Sequence, residues 1–483
     1  MQNTISPATI ATTHEITMHI MMFPWLAYGH ISPFVQLARK IIAVAGSSIR
    51  VTFLITKGNV PRVMTLLPCT PLISILPLDL PHVPGLPPGA ENTAEVTEEG
   101  AELLKIALDK TKPQVEDILM RTRPDIVIMD FVQAWLPSLA KPLGIKTLFL
   151  SVFPASALTY FFATSRQLHG PNPTLQDIMK APAGFPASSL IQSIPAFKAA
   201  NHLNVFNTSF GQPSVFNRFM KSIEDCDGTI AKTCMEMEGK YIEFYKSEHR
   251  KMLLVGPVVP ETPAGVLEKR WAEWLAEFPE KSVVYCSFGS EAVLTDEAVE
   301  ELLLGLESTG FPFLAVLKFP SGEEKEEVEN ILNRKLPKGF KERVKGRGIV
   351  HCGWVQQQHI LQHKNVGCFV SHVGFSSLME GMIADCQLVM LPQRADQLTN
   401  SVLLEKELGV GVEVERNEAD GSFRREAISD AIKAVMVEEE SRGKNIRQNK
   451  KKWKEFLMNK EVQEKFTVEF VKSLKDLVAA PGN

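Results

Sequence analysis

One short stretch concentrates residue types that could do chemistry: CFVSHVGFSSLMEGMIADCQLVMLP, from Cys368 to Pro392. It reads strand, bend, helix, strand. At the bend stand His372, Gly374, Ser376 and Ser377, with Glu380 one turn into the helix. Two readings compete. Ser377-Leu-Met-Glu380 has the S-x-x-E form of a capping box, in which two side chains merely satisfy the helix's own backbone donors. The same start also offers unpaired N–H groups and a positive dipole end, suited to a phosphate. Gly374 would let the backbone approach closely, the hydroxyls and His372 would add donors, and Glu380 would accept from ribose hydroxyls. Together they suit a nucleoside diphosphate. Zinc is a third possibility, because His351, Cys352, His359, His363 and His372 crowd one segment. The pair His359/His363 lacks the glutamate of H-E-x-x-H, however, and no second cysteine stands at ligand spacing. Leu378 occupies the last position of a would-be G-x-S-x-G elbow, against a serine hydrolase. GVGVEV (409–414) lacks the dinucleotide spacing, against NAD.

The elements that must position these residues alternate along the chain. ITMHIMMF, RVTFLIT, PDIVIMD and KTLFLS read as strands. Between the first two, Phe34, Leu37, Ala38, Ile41, Ile42 and Ala45 mark one helical face, with Ser32 as its expected N-cap and Pro33 in its first turn. A second series, KSVVYCSF to QLVMLP, repeats the alternation. The pattern predicts an α/β protein of two doubly wound parallel-sheet domains, with a cleft between the carboxyl ends of the sheets. The expected boundaries are a loose tail over 1–15, a first domain over 16–250, a linker over 251–265, a second domain over 266–452 and a closing helix over 453–483 that packs back towards the first domain. The stretch 160–220, rich in Pro, Asn, Ser and Phe, is an insertion that could line a pocket, and GEEKEEVEN (322–330) reads as a solvated acidic loop.

Composition narrows the class. The chain has 483 residues, 45% hydrophobic and 22% charged, too long for one core. A formal net charge of −4 gives no electrostatic footprint for nucleic acid. Seven cysteines without a CxxC pair fit a reducing compartment. No apolar run reaches about 18 residues, so no membrane span is expected. These features predict a cytoplasmic protein.

The segment from Trp354 to Gln397 carries W-x-x-Q, I-L, H, G-x-F, H-x-G, S, E, P and D-Q in order. It resembles the signature box of plant UDP-sugar-dependent glycosyltransferases. GHISPF, the SFGS turn at 287–290 and the GPVVP linker extend the likeness through the chain. GHISPF, LPHVPGLPPGAE, WVQQQ and HVGFSS are similar to the subgroup that adds a sugar to the sugar of a flavonoid or anthocyanidin 3-O-glycoside.

The resemblance implies a GT-B fold, and it implies roles. Trp354 would stack on uracil, Val355 would bond it through its backbone, and Gln357 would meet the ribose region. Glu380 would accept from the ribose, while His372, Gly374, Ser377, Ser290 and, less directly, Ser376 would hold the diphosphate. Asp396, Gln397, Phe375 and Ser151 would contact the donor sugar. His30, expected on the loop after the first strand, would take the acceptor's proton, with Asp130 orienting it. Direct displacement by one base implies inversion, no covalent intermediate and no metal. Gln356, Phe375 and Ser376 stand where the family has proline, tryptophan and asparagine. The donor is then a UDP-sugar co-substrate, with UDP-glucose favoured by Gln397 and UDP-rhamnose or UDP-xylose open. The implied protein is a monomer without other cofactors. A catalytically silent binder of the same fold, and an enzyme acting on aglycones or terpenoid glycosides, remain alternatives.

Overall fold

The computed structural model describes residues 17–170, 172–289, 293–318, 332, 334–437 and 441–480. Ser290, the tail over 1–15 and the acidic run 322–330 lie outside the described residues. Two parallel sheets organise the chain. The first has seven strands in the order β3-β2-β1-β4-β5-β6-β7, and the second six in the order β10-β9-β8-β11-β12-β13. The first sheet comprises β1 (Met18–Phe23), β2 (Ile49–Thr56), β3 (Ile73–Leu78), β4 (Ile126–Met129), β5 (Lys146–Ser151), β6 (Gly228–Ala231) and β7 (Met252–Leu254). The second comprises β8 (Val283–Ser287), β9 (Phe313–Leu317), β10 (Gly348–Cys352), β11 (Val366–Ser371), β12 (Gln387–Met390) and β13 (Gly411–Glu413).

Central strands read as unbroken apolar runs because helices cover both faces. β1, β4 and β11 are buried at every position. β3 carries Pro77, tolerated because this is an edge strand where a missing N–H breaks no inner ladder.

The helices that matter for the site are α1 (Tyr28–Ala45), α2 (Ala196–Leu203), α3 (Gln357–Leu361), α4 (Phe375–Ile383), α5 (Gln397–Val402), α6 (Ser441–Met458) and α7 (Lys460–Ala479). Two expectations need correcting. Helix α1 begins at Tyr28 behind Ala27, so Ser32 is no cap and Pro33 lies inside the helix. The reason is that the His30 and Ile31 N–H groups already donate to the Ala27 carbonyl, which starts the helix one turn early. His30 therefore sits in the first turn of α1 and not on a loop. The closing helix also differs: α6 runs to Met458 and the break falls at Asn459, whose side chain caps α7 by accepting from the Val462 N–H at 3.2 Å.

The insertion grips the second sheet's loops. From α2, the Lys198 ammonium donates to Glu413 Oε1 at 2.7 Å, and Asn201 Oδ1 accepts from the Ala395 N–H at 3.1 Å. Nearby, Glu407 accepts from Lys240 at 2.6 Å and from the Leu190 N–H at 2.7 Å. Helix α7 returns to the first sheet's side, where Lys40 of α1 donates to Gln463 Oε1 at 3.0 Å. Among the described residues no helix is long and apolar enough to cross a membrane.

Candidate active site

The carboxyl ends of β1, β4 and β5 carry the first group of residues. Register sets them. Phe23 pairs with Met129, so Asp130 emerges beside the turn that leads into α1. Its Oδ2 accepts from His30 Nδ1 at 2.7 Å and from the Trp25 N–H at 3.3 Å, while Oδ1 accepts from the Phe131 N–H at 2.8 Å. Asp130 is buried and the His30 side chain is 16% exposed. An ionised carboxylate can only accept, so Nδ1 carries the hydrogen and Nε2 keeps its lone pair. Such an imidazole is oriented to receive a proton. Phe131 and Phe153 flank the ring at centroid distances of 5.9 and 6.3 Å. Ser151 is fully buried at the end of β5, and its hydroxyl donates to the Phe153 carbonyl at 3.0 Å.

The second sheet supplies the opposite wall. β11 pairs with β8 so that Ser371 faces Ser287, which brings His372 beside Gly289. A Cβ on Gly289 would stand 2.7 Å from His372 Nε2, and one on Gly374 would stand 2.8 Å from it. Both positions must be glycine for the imidazole to nest at the start of α4. Gly289 also has φ +74, a region that disfavours other residues. Between them Val373 holds φ 54, a strained conformation for a β-branched residue. Its N–H donates to Ser371 Oγ at 3.0 Å and its carbonyl accepts from Asn400 Nδ2 at 2.8 Å.

The capping box is absent. Gly374 is the N-cap of α4 with no side-chain capping bond, Ser377 lies in the third helical position, and Glu380 turns elsewhere. Gln357 Nε2 donates to Glu380 Oε2 at 2.6 Å, Gln358 Nε2 donates to Oε1 at 3.0 Å, and Gln357 Nε2 also reaches Ser377 Oγ at 3.2 Å. Burial raises the Glu380 pKa above the usual carboxylate value, and the two glutamines oppose that rise. Helix α4 therefore begins without a side-chain cap on its first-turn N–H groups. Trp354 is 71% exposed, whereas Val355 next to it is buried. In a chain that buries Trp25 and Trp271, this ring is not part of the core. Gln356, one of the departures from the family pattern, pins the chain entering this region. Its Oε1 accepts from the Glu268 N–H at 2.6 Å and its Nε2 donates to the Val266 carbonyl at 3.0 Å.

Asp396 and Gln397 open α5. Gln397 Oε1 accepts from the Gln393 and Arg394 N–H groups at 3.0 and 3.1 Å, which leaves its amide nitrogen as the group available to a ligand. Asp396 Oδ2 accepts from Asn400 Nδ2 at 2.8 Å. Burial pushes the Asp396 carboxyl up to about 6, against the pull of Asn400, Lys232 and His30. His30, from the first sheet's side, is thus among the charges that act on Asp396.

Sequence reasoning missed three contributors. Asn400 ties Val373 to Asp396 from inside α5, and Gln358 shares Glu380; neither carries a local signal beyond a polar residue on a helix. Lys232 follows β6, whose four residues, GTIA, lack the apolar run that marks β4. It is 3% exposed, its Nζ lies 4.6 Å from the Phe375 ring centroid, and Phe375 itself is buried. The histidines suspected of binding zinc are dispersed. His351 packs on Trp271, His363 Nδ1 accepts from the Asn365 N–H, and no group of three potential ligands gathers among the described residues.

Comparison with known proteins gives the arrangement a family. Residues 229–474 match the model of "UDP-glucoronosyl and UDP-glucosyl transferase". The chain is 48% identical to anthocyanidin-3-O-glucoside rhamnosyltransferase of Petunia hybrida, over 93% of this chain and 94% of that protein. It is 41% identical to anthocyanidin 3-O-glucoside 2''-O-glucosyltransferase of Ipomoea purpurea, over 96% and 98%. Among solved structures, UGT73P12 of Glycyrrhiza uralensis, complexed with glycyrrhetinic acid 3-O-monoglucuronide, superposes with a TM-score of 0.75 at 23% identity, covering 95% of this chain and 96% of that one. Apo UGT2 of Phytolacca americana gives a TM-score of 0.75 at 22% identity, covering 95% and 100%. These structures share the GT-B architecture of two facing parallel-sheet domains. With its fold and its relatives in agreement, the chain belongs to the family of UDP-sugar-dependent glycosyltransferases.

Proposed function

We propose that this glycosyltransferase moves a sugar from a UDP-sugar to a hydroxyl on the sugar of a flavonoid or anthocyanidin 3-O-glycoside, with inversion at the anomeric carbon. The single observation that carries the chemistry is the 2.7 Å contact of His30 Nδ1 with the buried Asp130 carboxylate. The acceptor hydroxyl gives its proton to His30 Nε2 as its oxygen attacks the anomeric carbon. The bond from that carbon to the diphosphate breaks on the opposite face, and its electron pair leaves with UDP. Asp130 stabilises the imidazolium that forms. The first-turn N–H groups of α4, its hydroxyls and His372 receive the diphosphate charge. Trp354 carries the uracil, Gln357 and Glu380 the ribose, and Asp396 and Gln397 the sugar hydroxyls. The first domain takes the acceptor and the second the donor. The subgroup assignment leans on the relatives from Petunia and Ipomoea, whose names specify anthocyanidin 3-O-glucoside as acceptor. The enzyme acts as a monomer in the cytosol.

The test is a mass-spectrometric product screen. UDP-glucose, UDP-rhamnose, UDP-xylose and UDP-galactose are each paired with a flavonol aglycone and with its 3-O-glucoside. A mass gain on the glucoside alone is the expected result. A gain on the aglycone alone sinks the sugar-on-sugar assignment. No product from any pairing, with UDP binding intact, favours other acceptors or a silent binder. His30→Ala is expected to abolish transfer with UDP affinity retained, and wild-type turnover in that variant removes His30 from the base role.

A further inference from the structure

Lys232 has no assigned part in the reaction, yet its position is unusual. It follows β6, whose Ala231 pairs with Ser151, so it projects from the carboxyl edge of the first sheet. It is 3% exposed, and among the described residues no acceptor lies within hydrogen-bond distance of its Nζ. A buried ammonium without an acceptor is costly, and proteins rarely keep one unless something else completes it. What surrounds it is informative. The ring of Phe375, the first residue of α4, lies beneath the ammonium at 4.6 Å. The carboxylates that act on it are Asp396 of the second sheet and Asp130 of the first, neither close enough to bond it directly. Burial pulls its pKa down to about 7, and those two carboxylates oppose the fall.

We propose that Lys232 contacts the donor sugar, donating from Nζ to a hydroxyl oxygen of the transferred ring, which fills the gap between it and Asp396. This rests on the assignment of a UDP-sugar to the cleft. Two observations favour the sugar over the diphosphate as its target. Asp396 and Asp130, the carboxylates that act on it, belong to the groups assigned to the donor sugar and to the base, and it meets the side chain of Phe375 rather than the first-turn N–H groups of α4. Asp396 needs the company as well. Burial raises its pKa to about 6, and a nearby cation keeps it ionised and able to accept from sugar hydroxyls. The ammonium adds no net positive charge beside the ring, because Asp396 offsets it while Asp130 offsets the His30 imidazolium. Donor selection then draws on both domains: a carboxylate and an amide from α5, and an ammonium from the end of β6.

The experiment is calorimetric titration without acceptor, so that no turnover is needed. Wild type and Lys232→Met are each titrated with UDP and with UDP-glucose, UDP-rhamnose and UDP-xylose. The expected result is a UDP affinity within about twofold of wild type, with a loss of at least tenfold for the preferred UDP-sugar. Lys232→Arg should recover part of that loss. Equal loss of UDP and UDP-sugar overturns the proposal, because it indicates a structural role or a phosphate contact. No change in either also overturns it. If Lys232→Met does not fold by circular dichroism, Lys232→Gln is read by the same criteria. Wild type failing to bind UDP at all refutes the assignment of the cleft instead, so the two failures are distinguishable.

Discussion

Trp354→Ala separates the stability of this fold from its ligand chemistry. Trp354 is 71% exposed, whereas Trp25, Trp135 and Trp271 are each no more than 8% exposed. An exposed ring contributes little to folding, so truncation should change stability by no more than about 0.5 kcal/mol and the melting temperature by no more than about 2 °C. Binding should respond differently. Stacking a base on an aromatic side chain is worth about 1–3 kcal/mol by alanine substitution, which corresponds to roughly 5- to 150-fold in Kd. Titration of UDP into the variant reads the second quantity and thermal unfolding the first. Trp354→Phe should restore much of the affinity, because a flat face remains. Unchanged UDP affinity would mean that uracil does not lie on Trp354. A weakened affinity accompanied by a melting point lowered by about 5 °C or more would mean that the ring packs in the protein and its effect on UDP is indirect.

Three further expectations follow from the same geometry. Glu380→Ala should weaken UDP by about 1–3 kcal/mol and erase the preference for UDP over its 2′,3′-dideoxy analogue; a preserved preference would take the ribose away from Glu380. Gly374→Ala places a Cβ 2.8 Å from His372 Nε2, and it should cut UDP affinity more than tenfold while leaving uridine affinity alone, as competition binding can measure. Acid should destabilise the protein through two buried histidines. His19 is lowered from 6.5 to about 4, mainly by burial, and His202, stacked on Phe161, is lowered from 6.5 to about 3, again mainly by burial. Both are neutral when folded and bind a proton on unfolding once the pH drops below about 6.5. Their contribution is complete above pH 7 and is lost as the pH falls from 6.5 to about 4 for His19 and to about 3 for His202, at most on the order of 3 to 5 kcal/mol each. A melting temperature flat across that range would contradict the burial of both rings.

The alternation of strands and helices was legible because parallel strands covered on both faces read as unbroken apolar runs. The order of Trp354, His372, Glu380 and Asp396 along the chain carried the likeness to the family, whose membership the relatives show. What escaped reading was local backbone detail and tertiary partnership. Ser32-Pro33 looks like a helix start, but the Ala27 carbonyl had already begun the helix. Ser377 and Glu380 have capping-box spacing, yet the structure pairs Glu380 with Gln357 and Gln358 across a tertiary contact. The strands β7 and β13 have three residues each, too few for a period to show, and β6, GTIA, lacks the apolar run that made β4, IVIM, readable at the same length. Lys232 went unread for that reason, since a lysine after an unrecognised strand looks like solvent-facing surface. Asn201 and Lys198 bridge to loops about 200 positions away, which no local pattern encodes.

The chain passes between its two halves twice, once through the segment after β7 and again at Asn459 between α6 and α7. The two passages are adjacent. Gly256 on the first packs so closely against Phe466 on the second that a Cβ there would stand 2.6 Å from that ring. On one side of the second passage Lys450 of α6 is anchored to the Ala384 carbonyl at 2.6 Å, and on the other Gln463 of α7 is held by Lys40. The halves are thus joined along one seam by the covalent chain itself, and elsewhere by separable ion pairs, Lys198 with Glu413 and Lys240 with Glu407. Ties of the second kind can part without the first giving way.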